Sequence, residues 1–330
     1  MSTSKKHHAA SGSSDSTGFG ANSSYNAGRF VNKNGIANVV KTGAGIMERH
    51  SIYHTLLESS RLKFLLSIFS FFILINILFA FVYYLIGMEH LGGITLGSPL
   101  KNFGEAFFFS AQTFTTVGYG RINPSGFLTS SIAAVEALTG LLSFAVVTGL
   151  FYGRFSRPRA FLKFSQHMVL APFRNKTALM FRMVPYKNNR LTEAEVKLTL
   201  AIRMDENGNP SNKFYTLDLD ISKINTLSLS WTVVHPIDDK SPLYQMTEED
   251  IKNAKLELLV FVKAFDEVFS NTVIGRTSYD SNEIIFGARF RIMYEASPNG
   301  QSTILHLDRL NAIEKVPMPF AGSVDMRGAL

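Results

Sequence analysis

Two apolar runs, Phe64 to Gly87 and Phe127 to Gly153, restrict this chain more than any other feature. The first is 24 residues without a charge. As a helix it extends about 36 Å, enough to cross a hydrocarbon layer of about 30 Å with some tilt. The second run carries a single charge, Glu136. Two membrane-spanning helices are therefore expected, with Asn76, the one amide of the first run, turned toward a neighbouring helix rather than lipid. An acid inside a span is a functional candidate by default, and the reading for Glu136 is structural support rather than direct ion contact.

The segment between the runs is neither a span nor an ordinary loop. Ser98-Pro99 precedes an apolar stretch, Asn102 to Ser110, of helical length but too short to cross a bilayer. Then comes Thr113-Phe114-Thr115-Thr116-Val117-Gly118-Tyr119-Gly120, followed by Pro124-Ser125-Gly126. A half-crossing helix followed by irregular backbone is tolerated at membrane depth only where it is buried in protein or lines a watery cavity. The segment reads as a re-entrant pore loop.

The chemistry of the string points the same way. A potassium ion that sheds its water needs replacement oxygens, and backbone carbonyls supply them if successive residues turn them to one side. Glycine at alternate positions, Gly118 and Gly120, admits the required dihedrals, and the Thr116 hydroxyl adds an oxygen at the inner end. Thr116, Val117, Gly118, Tyr119 and Gly120 thus form a candidate selectivity filter, with K+ held at Thr116 to Tyr119. Val117 and Tyr119 are expected to point backwards and pack against the pore helix. A non-selective cation pore is the rival from the same residues.

Basic residues gather at the span ends: Arg49, Arg61 and Lys63 before the first, Arg154, Arg157, Arg159 and Lys163 after the second. The connecting loop carries only Lys101 and Arg121, so both termini are expected in the cytoplasm. That placement also assigns the net charge of +7 to membrane topology rather than to nucleic acid. With no cysteine in the chain, disulfides, zinc-thiolate sites and thiol nucleophiles are excluded. His235, Asp238 and Asp239 lie near Ser241, but no nucleophile elbow, metal-ligand spacing or phosphate loop accompanies them, so neither an enzyme nor a cofactor is expected. A membrane-anchored binding module is a further alternative.

The expected domains are a disordered tail (1–28), a cytoplasmic arm (29–48), an interfacial slide helix (49–60), the two-span pore unit (61–157), a linker (158–177), a β-sandwich (178–316) and a C-terminal tail (317–330). In the slide helix Ile52, Tyr53, Leu56 and Leu57 share one side. Alternating runs at Val196–Arg203, Leu227–Val234, Leu256–Ala264 and Ile284–Tyr294 predict an antiparallel, immunoglobulin-like sandwich. Thr247 is placed to cap a short helix.

The filter string, Gly149-Leu150-Phe151-Tyr152-Gly153-Arg154-Phe155-Ser156-Arg157-Pro158, the arm Arg29 to Gly35, and the stretches Leu229 to Asp238, Ser241 to Tyr244 and Ser278 to Ile284 together resemble the prokaryotic branch of the inward-rectifier potassium channels, over about Arg29 to Val316. The resemblance implies a homotetramer in the inner membrane of a bacterium, a pore lined by Phe144, Thr148 and Tyr152, and a gate at Tyr152. It implies bending points among Gly140, Gly149 and Gly153, and anionic lipid headgroups at Arg154, Arg157 and Arg159, completed by Arg61 and Lys63. Strongly rectifying relatives carry an acid at the position of Phe144, so strong rectification by that route is not expected. Many eukaryotic relatives pair a glutamate at the position of Gln112 with an arginine after the filter. Here Gln112 is neutral and Arg121 follows Gly120, so a charged staple is expected to be lost and a Gln112 hydrogen bond to replace it. Glu206, Asp218, Asp220 and Glu283 are candidate pore-facing acids of the cytoplasmic domain.

Overall fold

The computed structural model describes residues 18–19, 29–43, 45, 51–206 and 209–318. Most of the two tails expected at 1–28 and 317–330, and the side chain of Glu206, lie outside the described residues. The chain divides into two compact units, one comprising residues 42–157 and the other residues 1–41 with 158–330.

The first unit is helical. A short helix, α1 (Ile52–Glu58), starts at Ser51, whose hydroxyl accepts from the His54 amide. The long helix α2 (Arg61–Ile86) starts at Ser60 in the same way and ends at Gly87, whose φ of 118° closes it. Helix α3 (Pro99–Phe114) opens with Ser98 as cap and proline at its first position, where the missing N–H costs nothing. The inner helix α4 (Phe127–Phe155) follows Gly126. Helices α2 and α4 are the two long enough and apolar enough to cross a membrane, with only 11% and 17% of their most apolar windows buried. Such exposure does not suit the core helices of a soluble protein. A two-stranded ladder, β1 (Leu91–Gly92) against β2 (Asn123–Pro124), ties the two ends of the loop segment together. Gly93 is required there, because a Cβ on it would lie 1.7 Å from the Arg121 carbonyl oxygen.

The second unit is a β-sandwich. The remaining strands are β3 (Leu162–Phe164), β4 (Met168–Phe173), β5 (Lys176–Pro185), β6 (Leu191–Glu206), β7 (Asn209–Leu217), β8 (Lys223–Thr226), β9 (Trp231–Ile237), β10 (Leu256–Asp266), β11 (Asn271–Asp280) and β12 (Ile284–Phe286). One sheet runs β11-β10-β6-β7, with β8 beside β6; the other runs β12-β4-β5-β3, with β9 beside β5. Their inner faces meet in one core that includes Phe181, Leu198, Leu200, Trp231, Leu258, Val260 and Tyr279. Strand β10 alternates buried and open positions toward its end, the signature of a strand with one wet face. Two small antiparallel ladders, β13 (Ala288–Phe290) with β16 (Ile313–Lys315) and β14 (Tyr294–Ala296) with β15 (Thr303–Leu305), close the domain. Thr247 caps α5 (Glu248–Asn253) in a reciprocal box with Asp250.

The structure corrects four expectations here. The segment 158–177 is not a linker: β3 and β4 belong to the sandwich. Strand β3 is only three residues long, too short for its alternation to stand out, and β4 is a nearly unbroken apolar run without the alternation of a half-wet strand. The run Leu227–Val234 is a strand only from Trp231, because Leu227 instead fills the core from the connection after β8. The run Ile284–Tyr294 breaks into separate short strands around Gly287, whose φ is 62°. The sheet is not purely antiparallel, since β12 pairs parallel with β4.

The arm docks on the sandwich. Both Glu257 carboxylate oxygens accept backbone amides, from Phe30 (2.6 Å) and Val31 (3.1 Å). Arg29 lies 2.8 Å from Asp280 and 2.5 Å from Glu283, and Lys33 sits 3.8 Å over the Tyr279 ring. Glu283 therefore serves as an anchor for the arm. Asp220 is likewise paired with Arg174 at 2.9 Å. Asp218 contributes its backbone carbonyl to His235. Neither Glu283 nor Asp220 is a free pore-facing charge.

Candidate functional site

The loop after α3 is built around one carbonyl. The Val117 and Gly118 amides both donate to the Gln112 oxygen, at 3.0 and 3.3 Å, and Thr116 donates to the Thr113 oxygen at 3.0 Å. The Thr115 hydroxyl returns to Ala111 O at 2.6 Å. The end of the helix thus turns directly into the loop, with the carbonyls of Ala111, Gln112 and Thr113 satisfied.

Backbone handedness alternates along the string. Thr116, Gly118 and Gly120 have φ of 59°, 51° and 83°, while Val117 and Tyr119 stay on the ordinary side. Such alternation lets consecutive carbonyls turn to a common side, the arrangement a dehydrated cation needs. Nothing lies within 4 Å of a Cβ built on Gly118 or Gly120, so glycine is needed there for its dihedral and not for space. Thr116 adopts the left-handed region despite its branched side chain, a strained position of the kind found at functional sites.

Val117 and Tyr119 do not pack into their own pore helix: they are 54% and 80% exposed in the single chain. On α4, Phe144 and Tyr152 are 72% and 75% exposed, and Thr148 between them is also open. The spacing of four puts all three on one uncovered face.

The surroundings of the candidate filter differ from expectation. Arg121 is paired after all, to Glu105 at 2.6 Å, so a charged staple is present, seven positions before Gln112. Gln112 supports the loop through its backbone oxygen. Sequence reading missed Glu105 because its partner is set by the loop's return path, which no spacing rule encodes.

Behind the loop, Glu136 accepts from the Tyr83 hydroxyl at 2.7 Å and contacts the Ser110 hydroxyl. Ser110 in turn lies 2.9 Å from Asn76 Oδ1, and all four residues are fully buried. Asn76 thus faces a neighbouring helix, as expected. Gly140, one turn beyond Glu136, rests on the end of α3: a Cβ there would lie 1.9 Å from the Phe114 carbonyl oxygen. Helix α4 runs unbroken through Gly140, Gly149 and Gly153, so the role visible at Gly140 is close packing. Gly149 has open space around it, and a Cβ on Gly153 would lie 3.1 Å from the Tyr53 hydroxyl.

Arg154 is not a free lipid ligand. Its guanidinium donates to the carbonyls of Leu56 (3.1 Å), Leu57 (3.4 Å) and Ser59 (2.7 Å), capping α1, and lies 4.8 Å over the Phe64 ring. Arg61, Lys63, Arg157 and Arg159 are exposed.

The suggestive histidine pair in the sandwich is structural. His235 Nδ1 meets the Asp218 carbonyl at 2.6 Å and its Nε2 meets the Ser241 hydroxyl at 2.8 Å, with both residues buried. Ser241 also accepts from the Leu243 amide, so the hydroxyl holds a turn.

Residues 162–327 match the family model for the inward rectifier potassium channel C-terminal domain, and 70–157 match one for ion channels. The inward rectifier potassium channel Kirbac3.1 of Paramagnetospirillum magnetotacticum is 36% identical over 285 residues, covering 84% of this chain and 92% of the relative. The inward rectifier potassium channel irk-1 of Caenorhabditis elegans is 27% identical, with 84% of this chain and 55% of the relative covered. An ATP-sensitive inward rectifier potassium channel 12 of Gallus gallus is 26% identical, with 88% and 73% covered. The pore loop between two spans, the sandwich that follows them and this similarity agree throughout: the chain belongs to the inward rectifier potassium channel family.

Proposed function

We propose that potassium ions pass through a filter formed by Thr116 to Gly120, with carbonyls of Thr116, Val117, Gly118 and Tyr119 replacing the ion's water. The chain is a potassium channel rather than an enzyme, by its family. The observation that carries the filter assignment is the alternating left-handed backbone at 116, 118 and 120, hung from Gln112 O between two membrane-length helices. No cofactor enters the mechanism; K+ is the permeant ion.

The pore is a homotetramer. This reading is supported by the open face of Phe144, Thr148 and Tyr152 and by exposed Val117 and Tyr119, which have no cover within one chain. Tyr152 is the gate, closing by crowding and dewetting at the helix end. Bending for opening falls to Gly149, where there is room. Arg121 and Glu105 brace the outer mouth, with Gln112 and Glu136 as filter supports. Arg157, Arg159, Arg61 and Lys63 remain for anionic headgroups, each basic residue contributing about 1 kcal/mol of attraction near a charged surface. Both termini lie in the cytoplasm.

Flux into potassium-loaded proteoliposomes tests the reading. Barium-sensitive flux that favours potassium over sodium is expected. Absence of flux across all lipid compositions and pH values tried, or flux indifferent to sodium, overturns it.

A further inference from the structure

The proton inventory around Glu136 does not balance if the residue is a carboxylate. Ser110 Oγ contacts two oxygens, Asn76 Oδ1 at 2.9 Å and Glu136 Oε1 at closer range. A hydroxyl has one proton to give. The Asn76 amide cannot turn to supply another, because its nitrogen already donates to the Phe72 carbonyl at 2.7 Å. Turning it would set two acceptor oxygens against each other. On the far side, the Tyr83 hydroxyl points its proton at Glu136 Oε2. One more proton is needed between Glu136 and Ser110, and the remaining group able to carry it is the Glu136 carboxyl. Among the described residues no lysine, arginine or histidine pairs with Glu136, and all four network residues have no exposed surface. An uncompensated carboxylate in such a place is far costlier than a neutral acid.

We infer that Glu136 is a neutral hydrogen-bond donor and a positioning residue for the filter, the centre of a directed chain Tyr83 to Glu136 to Ser110 to Asn76 to the Phe72 carbonyl. This rests on the filter assignment above. The chain fixes the register of three helices through pairs four residues apart. On α2, Asn76 takes the Ser110 hydrogen bond while Phe72 meets Phe114 edge-on, their ring centroids 6.0 Å apart. On α4, Glu136 takes the other side of Ser110 while Gly140 receives the Phe114 carbonyl. Ser110 and Phe114 are themselves one turn apart on α3, and Gln112, the anchor of the loop, lies between them. Shifting α3 along its axis breaks polar and steric contacts together. The filter is thus located from behind by hydrogen bonds with no net charge near the ion path.

Glutamine fits this scheme: its oxygen accepts from Tyr83 and its amide donates to Ser110. Two measurements test the inference. In infrared difference spectra at neutral pH, wild type minus E136Q is expected to show the carbonyl band of a protonated carboxyl. Carboxylate bands in its place overturn the neutral-donor assignment, whether or not the channel conducts. In flux assays, with tetramers checked by gel filtration, E136Q is expected to keep its potassium preference and barium block. Tetrameric E136A and S110A are expected to lose potassium preference by about tenfold, because each strands a buried partner. E136Q that is tetrameric yet unselective overturns the neutral-donor reading, and tetrameric E136A with wild-type selectivity overturns the positioning role. Wild type without flux sinks the filter reading instead, and leaves the infrared result to decide the protonation state.

Discussion

Arg121 and Glu105 are joined at 2.6 Å across the pore loop, from the residue just after the proposed filter to the first half of α3. The acid is largely covered while the arginine is half open, so solvent screens the pair and its value falls near the upper end for surface ion pairs, about 1 kcal/mol. The expected result of R121A or E105Q is a modest loss of selectivity, together with a flux that decays faster on sodium exchange. Double-mutant analysis gives the coupling, and a charge-exchanged pair, E105R with R121E, recovers part of it. Single variants indistinguishable from wild type in both selectivity and decay show that the staple does not brace the filter.

Gly140 and Gly149 lie on the same helix and should respond oppositely to alanine. At Gly140 a new Cβ meets the Phe114 backbone oxygen at 1.9 Å, so α4 or α3 must move, at a cost of about 1–3 kcal/mol. At Gly149 nothing lies within 4 Å, and alanine favours the helix by about 0.5–1 kcal/mol. G140A is therefore expected to lower both tetramer stability and potassium preference. G149A is expected to keep stability and selectivity while reducing flux severalfold, because a stiffer helix opens less often. Unchanged flux in G149A removes it as the bending point.

The parts of the fold that were legible share a physical cause. Helices α2 and α4 stand out because lipid rewards one continuous apolar surface, and the half-helix stands out because it is too short to span. The bend of the candidate filter is readable because left-handed backbone at alternate residues selects glycine at 118 and 120. What stayed hidden depends on where the chain returns in space. Arg154 reads as a spare cation at a membrane edge, yet it is occupied by the carbonyls of Leu56, Leu57 and Ser59, nearly a hundred residues away in sequence. Gly140 reads as a bending point until Phe114 is found against it. Strand β3 is hidden by its length of three residues, and β4 by an apolar run buried at four successive positions.

Tyr152 projects from the last turns of α4 on the face shared with Phe144 and Thr148. If four such rings close the path, size rather than the hydroxyl matters. Y152F should gate as wild type does, and Y152A should raise flux measured without any activating lipid. The comparison is made at equal tetramer content in vesicles. A Y152A channel with wild-type resting flux places the gate elsewhere.

His235 gives the sandwich a pH dependence of known sign. Burial lowers its pKa from 6.5, with the Asp218 carbonyl and the Asp238 charge opposing that shift. The neutral ring satisfies both neighbours, Nδ1–H donating to Asp218 O and Nε2 accepting from Ser241. Below pH 6.5 the unfolded chain takes up a proton that the folded ring resists. Stability from this residue is therefore complete above that value and falls as pH drops toward the lower folded value, by up to about 1.4 kcal/mol per pH unit. Thermal denaturation of detergent-solubilised protein at pH 7.5 and 5.5 should show a steeper loss for wild type than for H235N, which is less stable at the higher pH but carries no such proton. Equal slopes in the two proteins mean that His235 is already protonated when folded, and that its ring does not hold the Ser241 turn as an acceptor.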